Sequence, residues 1–297
     1  MKSYTKLRSE YGIDSKNTSS ANLDWGIDKM NDFHRRLLAK ADWPFLHRLR
    51  TAATVASTTF VPLAYDVDQV ESVFVTVSST RYNPVPAPSR QFWDKLHYST
   101  QTSDYPQYWF VYNGQLGLWP RPSTSANVIS INSKIRVTDL NTADVTSSTI
   151  TTLANDSQAL TVSAGLTTQM AGFWIRPTFS TTANTGDGLW YEIGSVTNST
   201  TATLVRPYGG NSIAVGTAAS TIAQMPLLPE AYHDLLVNYA AYRYWSKEKD
   251  KRADDFKSMA TEGMNDLFTT YGVNDVSMVL DDGEDRPMLN PNLTISL

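Results

Sequence analysis

From Leu23 onward the apolar residues Leu23, Ile27, Met30, Phe33, Leu37, Leu38 and Ala41 recur at intervals of three and four, the spacing of one helix face. Lys29, Asp32, Arg36 and Lys40 fall largely off that face. Asn22 is placed to cap the start, and Pro44 sets the end, because proline disfavours helical backbone in the residue before it. Residues 1–21 are polar and read as an arm or a short helix. Trp43-Pro44-Phe45-Leu46 then gathers three large apolar side chains where the helix stops.

The pattern next changes to that of strands. Residues 51–66 read as strand and turn, and 68–77 as a strand. Residues 80–89 hold three prolines and read as loop, and Arg90 to His97 as one or two helical turns with Phe92, Trp93 and Leu96 inward. Trp109–Tyr112, Asn113-Gly114 and Gln115–Trp119 form a hairpin signal, since Asn-Gly suits a tight primed turn. Between Val128 and Val137, Ile129, Ile131, Ile135 and Val137 alternate with polar neighbours, as in a half-buried strand.

Composition shifts near Asn141. Residues 141–225 are rich in Ser and Thr, and their basic residues are Arg176 and Arg206. Low complexity would account for this. A folded all-β module, sandwich or barrel, accounts for more, because short β-type runs recur between turn signals: Ala159–Val162, Phe173–Ile175, Trp190–Ile193 and Thr203–Val205. After Met225 helical spacing returns. One helix is expected from Glu230 to Ser246, with Pro229 at its start and Glu230 in the first turn, where the helix dipole favours an acid. A second is expected from Asp250 to Tyr271, with a stripe of Ala253, Phe256, Met259, Ala260, Met264, Leu267, Phe268 and Tyr271 and with Gly272 as its stop. The short joint at 247–249 makes the two an antiparallel hairpin. Residues 273–297 form an acidic tail with no helical stripe, of a kind that orders on a partner.

Composition narrows the chemistry. The 297 residues include no cysteine, which excludes thiolate metal sites and cysteine nucleophiles. The net charge of −4 is not that of a domain that binds nucleic acid by phosphate attraction. The first residues carry no apolar run of the signal-peptide type, and no apolar stretch approaches a membrane span. His34, His47, His97 and His233 form no metal-binding pair, and neither a nucleophile elbow nor a phosphate-binding loop occurs, so no catalytic, metal or cofactor residue is assigned. Asp281-Asp282-Gly283-Glu284-Asp285 lacks the ligand spacing of a calcium loop. The basic residues Arg35, Arg36, Arg48 and Arg50 are too few to carry nucleic-acid affinity, and salt bridges to a neighbouring subunit or a solvated face explain them better.

Three segments together resemble the head-to-tail adaptor, or connector, proteins of short-tailed bacteriophages: the first helix ending in Trp43-Pro44-Phe45-Leu46; Leu118-Trp119-Pro120-Arg121-Pro122 leading into strand 128–137; and Leu228-Pro229-Glu230-Ala231-Tyr232-His233-Asp234-Leu235-Leu236 with Tyr239-Ala240-Ala241 and Tyr244-Trp245. The resemblance implies an α+β fold: a helical adaptor core, made of the N-terminal helix and the C-terminal hairpin, with small β-sheet elements and an inserted all-β sandwich or barrel. The corresponding division is 1–140 and 226–272 for the core, 141–225 for the insert and 273–297 for the tail. It further implies a non-enzymatic virion protein, assembled in the host cytoplasm, that forms a ring of usually twelve copies below the portal. Such a ring extends the DNA channel without sequence-specific binding and offers a platform to nozzle and fibre proteins. An acidic wall suits that passage, since it does not hold phosphate.

Closed rings join two different surface patches at each contact. The aromatic residues Tyr239, Tyr242, Trp245, Phe256 and Phe268 of the hairpin are candidates for subunit packing, with packing inside one chain as the alternative. The family's last segment reaches the portal, which assigns that docking to Asp281, Asp282, Glu284, Asp285, Arg286, Leu289, Leu293 and Ile295. The insert is expected at the periphery, facing outward or toward fibres. A carbohydrate- or receptor-binding fibre component is the alternative function, motivated by the aromatic residues of the β-module. A hydrolase using paired carboxylates has no marked pair to support it.

Overall fold

The computed structural model describes residues 1–179 and 186–271. Its elements are helices and sheets in roughly separate regions, with one closed six-stranded barrel.

Helix α1 (Tyr4–Asp14) occupies the polar arm, and Ser3 accepts a hydrogen bond from the Lys6 amide at its start. Helix α2 (Ser20–Leu38) begins after Ser19 rather than at Asn22. Asn22 instead bridges the helices, donating to Asn17 C=O at 2.8 Å and accepting from Tyr11 Oη at 3.0 Å. The approach is close: a Cβ on Gly26 would lie 2.2 Å from the Tyr11 ring. Trp43-Pro44-Phe45-Leu46 forms a 3₁₀ turn, and Trp43 Nε1 donates to Leu37 C=O at 3.1 Å.

The next segment is a β-sandwich. Strands β1 (His47–Ala53), β2 (Phe60–Pro62), β3 (Val67–Val77), β4 (Thr80–Tyr82) and β5 (Val85–Pro86) precede helix α3 (Arg90–His97). Strands β6 (Tyr108–Tyr112), β7 (Gln115–Trp119) and β8 (Val128–Ile135) follow it. One sheet has the order β1-β8-β3-β4 and the other β2-β7-β6-β5. Their facing sides bury Val73, Val75, Leu116, Leu118, Ile129 and Ile131. The expected hairpin is present, with positive φ at Asn113 and Gly114. The proline-rich stretch 80–89, expected as loop, contains β4 and β5; Pro86 is tolerated because β5 is a short edge strand that need not donate on its outer side. Helix α3 lies on the second sheet through Trp93, stacked on Phe110 at 5.8 Å, and Gly117 leaves the space that Trp93 fills.

The barrel is built from β9 (Thr149–Leu153), β10 (Ala159–Val162), β11 (Trp174–Pro177), β12 (Tyr191–Val196), β13 (Thr201–Leu204) and β14 (Ile213–Ala223), closed in the order β10-β13-β12-β11-β14-β9. Ile150, Leu153, Leu160, Ile175, Ile193 and Leu204 fill it. Closure leaves no strand edge, so short threonine-rich strands suffice.

The chain then returns to the helices. A 3₁₀ turn (Glu230–Tyr232) follows Pro229, and α4 (His233–Lys247) starts three residues later than the Pro-Glu signal indicates. Helix α5 (Arg252–Thr270) pairs with it. At the joint Asp250 accepts from the Arg252 amide at 2.9 Å, and the Arg252 guanidinium holds the Asp250 carboxyl well below the usual carboxylate range. Helix α4 is apolar over most of its girth because it packs on α1, α2 and α5 at once. The common core holds Leu7, Met30, Phe33, Trp43, Leu236 and Met264.

Candidate functional site

The helices, the sandwich and the barrel meet where the chain enters and leaves the barrel, and buried polar side chains hold that junction. Asn31, inside α2, donates to Leu140 C=O at 3.1 Å and accepts from Leu140 N–H at 2.8 Å. Gln224, just after β14, donates to Asp139 C=O at 2.7 Å and accepts from the amides of Asn141 and Thr142 at 2.8 and 3.0 Å. One side chain thus ties the departing segment to the incoming one. The first residues add a strap: Tyr4 N–H donates to Gln224 C=O at 2.9 Å, and Ser3 Oγ donates to Asp144 at 2.7 Å.

Two histidines stand behind the returning segment. The His34 Nε2 accepts from Leu227 N–H at 3.3 Å, which puts the proton on Nδ1. Burial pushes the ring's pKa down to about 3, with further lowering by His233. The His233 Nδ1 accepts from Lys2 N–H at 3.0 Å, so its Nε2 donates to Leu228 C=O at 2.9 Å. Burial lowers its pKa as well. Both rings are therefore neutral spacers that satisfy backbone. Lys2 reinforces the strap through Glu10 at 2.7 Å and through Asp234.

A second polar network joins the sandwich to the barrel. Arg50 of β1 pairs with Asp66, and at 3.5 Å with Glu192 of β12; their side chains are 8%, 9% and 11% exposed. Arg48 reaches the same Glu192 at 3.5 Å. Arg35 donates to both oxygens of Asp139 at 2.6 Å. The basic residues expected to meet a neighbouring subunit or solvent thus include three, Arg35, Arg48 and Arg50, that close ion pairs within the chain. A burial pattern drives this: Arg48 and Arg50 alternate with exposed Leu49 and Thr51, on the strand face that looks into the sandwich.

Clefts of about 650 and 380 Å³ flank the Arg50 network. Asp66 and Glu192 are both engaged by arginine there. Among the described residues no group of three His, Asp or Glu side chains is arranged to hold a metal, and no helix is long and apolar enough to cross a membrane.

The candidate packing residues sit inside one chain. Tyr239 stacks on Phe33 at 4.1 Å, and Phe268 lies 5.1 Å from Trp43. Tyr242 is buried. Trp245 donates to Asp14 C=O at 3.1 Å and is covered by the Arg252 guanidinium at 3.3 Å. Phe256 is half-buried against the same core. These rings complete the fold of a single chain. Surface left open on the hairpin is the outer side of α5, with Asp254, Ser258, Met259 and Glu262 exposed. Asp281, Asp282, Glu284, Asp285, Arg286, Leu289, Leu293 and Ile295, together with Gly272, lie outside the described residues.

The sequence model of the SU10 adaptor protein family matches residues 4–285, and the chain belongs to that family. It is a structural adaptor of a phage virion, associating with other virion proteins. The matched range includes all the barrel strands. Among curated proteins, none matches this chain.

Proposed function

We propose that the chain acts as a ring-forming head-to-tail adaptor, seated below the portal, that extends the DNA channel and carries nozzle or fibre proteins. The family match from residue 4 to residue 285 carries this reading. The structure adds a physical reason. Each chain completes its own helical core around α4, so copies can meet as preformed units through outer surfaces. In a ring of twelve, the outer side of α5 with Met259 supplies one patch of a head-to-tail contact, while Tyr239, Tyr242, Trp245, Phe256 and Phe268 shape that helix pair from within.

Portal docking falls to 273–297, with the acidic residues Asp281, Asp282, Glu284 and Asp285 for charge, Arg286 beside them, and Leu289, Leu293 and Ile295 for apolar contact. The barrel stands at the periphery, because both ends of its chain are tied at one junction by Gln224 and Asn31 and Glu192 of β12 is held by the sandwich, so that the barrel projects from one side of the molecule. Co-sedimentation with isolated portal rings tests docking. The unaltered protein is expected to bind, and Asp281→Lys with Asp285→Lys to bind at least about tenfold more weakly, a difference of about 1.4 kcal/mol. Equal binding of both would overturn the docking assignment.

A further inference from the structure

The barrel is attached to the rest of the chain without a shared core. Its interior side chains, from Ile150 to Ile222, pack on one another, and among the described residues none of them joins the apolar core of the helices or of the sandwich. Bodies joined without a large apolar interface move against each other unless something else fixes them.

Two chain crossings form the neck between barrel and body. On the barrel side, Val145 and Ile222 exchange two backbone hydrogen bonds, at 2.8 and 2.9 Å. On the body side, Asp144 accepts from Ser3 Oγ at 2.7 Å and donates its amide to Thr5 Oγ1 at 3.1 Å. Gln224 is fixed there too, through Tyr4, Asp139, Asn141 and Thr142. The change from one body to the other therefore falls between Asp144 and Val145 on the way in, and between Ala223 and Gln224 on the way out. Two neighbouring crossings at the ends of closed elements are the usual anatomy of a hinge.

Away from that hinge, Glu192 spans the gap. Its neighbour Ile193 points into the barrel core, so strand alternation turns Glu192 outward. It meets Arg48 and Arg50 of β1, each at 3.5 Å. Arg50 is held independently by Asp66 of the body. Clefts lie on both sides of this contact. The one of about 380 Å³ separates it from the neck and has Asn141 and Gln224 in its wall. The one of about 650 Å³ lies beyond, with Ala52 and Leu63 on the sandwich side and Val196 and Leu204 on the barrel side. The ion contact thus stands as a pillar between two clefts.

We propose that Glu192 is an electrostatic latch that fixes the orientation of the barrel, and that its release lets the barrel swing as a rigid body about the neck at Asp144–Val145 and Ala223–Gln224. The Arg50–Asp66 pair stays closed in both positions and the barrel keeps its own core, so release unfolds neither body. The latch does not depend on the ring reading above.

Distances between pairs of spin labels on the full-length protein test it, since the chain has no cysteine of its own. Thr80→Cys on the sandwich with Ser199→Cys on the barrel, both exposed, reports the swing. Ala154→Cys with Ser199→Cys reports the barrel itself. Glu192→Gln keeps the size of the side chain and removes its charge. It is expected to widen the Thr80–Ser199 distance distribution at least about twofold and to leave the Ala154–Ser199 distribution unchanged. Arg48→Gln removes one of the two partners, spares the buried Arg50–Asp66 pair, and is expected to widen the first distribution by less. Equal Thr80–Ser199 widths in all three chains would overturn the proposal. Widening of the Ala154–Ser199 pair would overturn it as well, because Glu192 would then support the barrel's own fold.

Discussion

Asn31 and Leu140 exchange two hydrogen bonds across 109 positions of sequence, at 2.8 and 3.1 Å, both buried. A side-chain amide here mimics a strand partner, satisfying the backbone of the segment that leaves the sandwich for the barrel. That segment has no sheet of its own at Leu140, so the helix supplies what a neighbouring strand would.

Asn31→Ala leaves the N–H and C=O of Leu140 buried without partners. The expected loss of stability is about 2–4 kcal/mol. Gln224→Ala removes three bonds, but the Asn141 amide it strands can reach water, so a smaller loss is expected. Urea unfolding of both variants checks the order. A loss below about 0.5 kcal/mol for Asn31→Ala would show that the pairing is incidental.

What was legible in the sequence divides by physical cause. Helices α2, α4 and α5 and the Asn-Gly hairpin were readable because periodicity and turn chemistry are local. Strands β9 and β14 were not. Thr149–Leu153 and Ile213–Ala223 are rich in Thr, Ala and Ser, and they hold their places because barrel closure pairs both of their edges, a non-local fact. Asn31, His34 and Gln224 carried a usable signal: each is a polar residue in an otherwise apolar setting, His34 lying one turn from Met30 and Leu38 on the buried face of α2. The packing of Tyr239, Tyr242, Trp245 and Phe268 could not be assigned from sequence, since an all-round apolar helix looks the same whether its own chain or another encloses it.

Acid is expected to destabilise the protein through the two buried histidines. His34 stays neutral in the fold down to about pH 3, whereas an exposed histidine takes a proton near pH 6.5. The unfolded chain therefore binds more protons between those values, and the stabilisation present above pH 6.5 is lost as pH falls toward 3. Between pH 7 and pH 5 His34 accounts for about 2 kcal/mol, and His233 adds to it in the same direction. Guanidinium unfolding at both pH values measures the slope. His34→Gln is expected to flatten it, and an unchanged slope would exclude His34 as the source.

Arg50 is expected to be costly to remove alone. Arg50→Met leaves Asp66 buried and facing an apolar group, with a loss of about 3–5 kcal/mol. Adding Asp66→Leu should restore part of that loss, because the stranded charge is then gone. Thermal unfolding of the single and double variants gives the coupling, and additive losses would mean that the two side chains act independently.

The central claim is that this chain is built to meet copies of itself and a portal as a finished unit. Electron microscopy of the full-length protein mixed with isolated portal rings tests it most directly. The expected image is a closed ring of adaptor copies seated coaxially on the portal, with the barrels around its outside. Monomers that leave the portal rings bare, or a ring with barrels lining its lumen, would contradict the account.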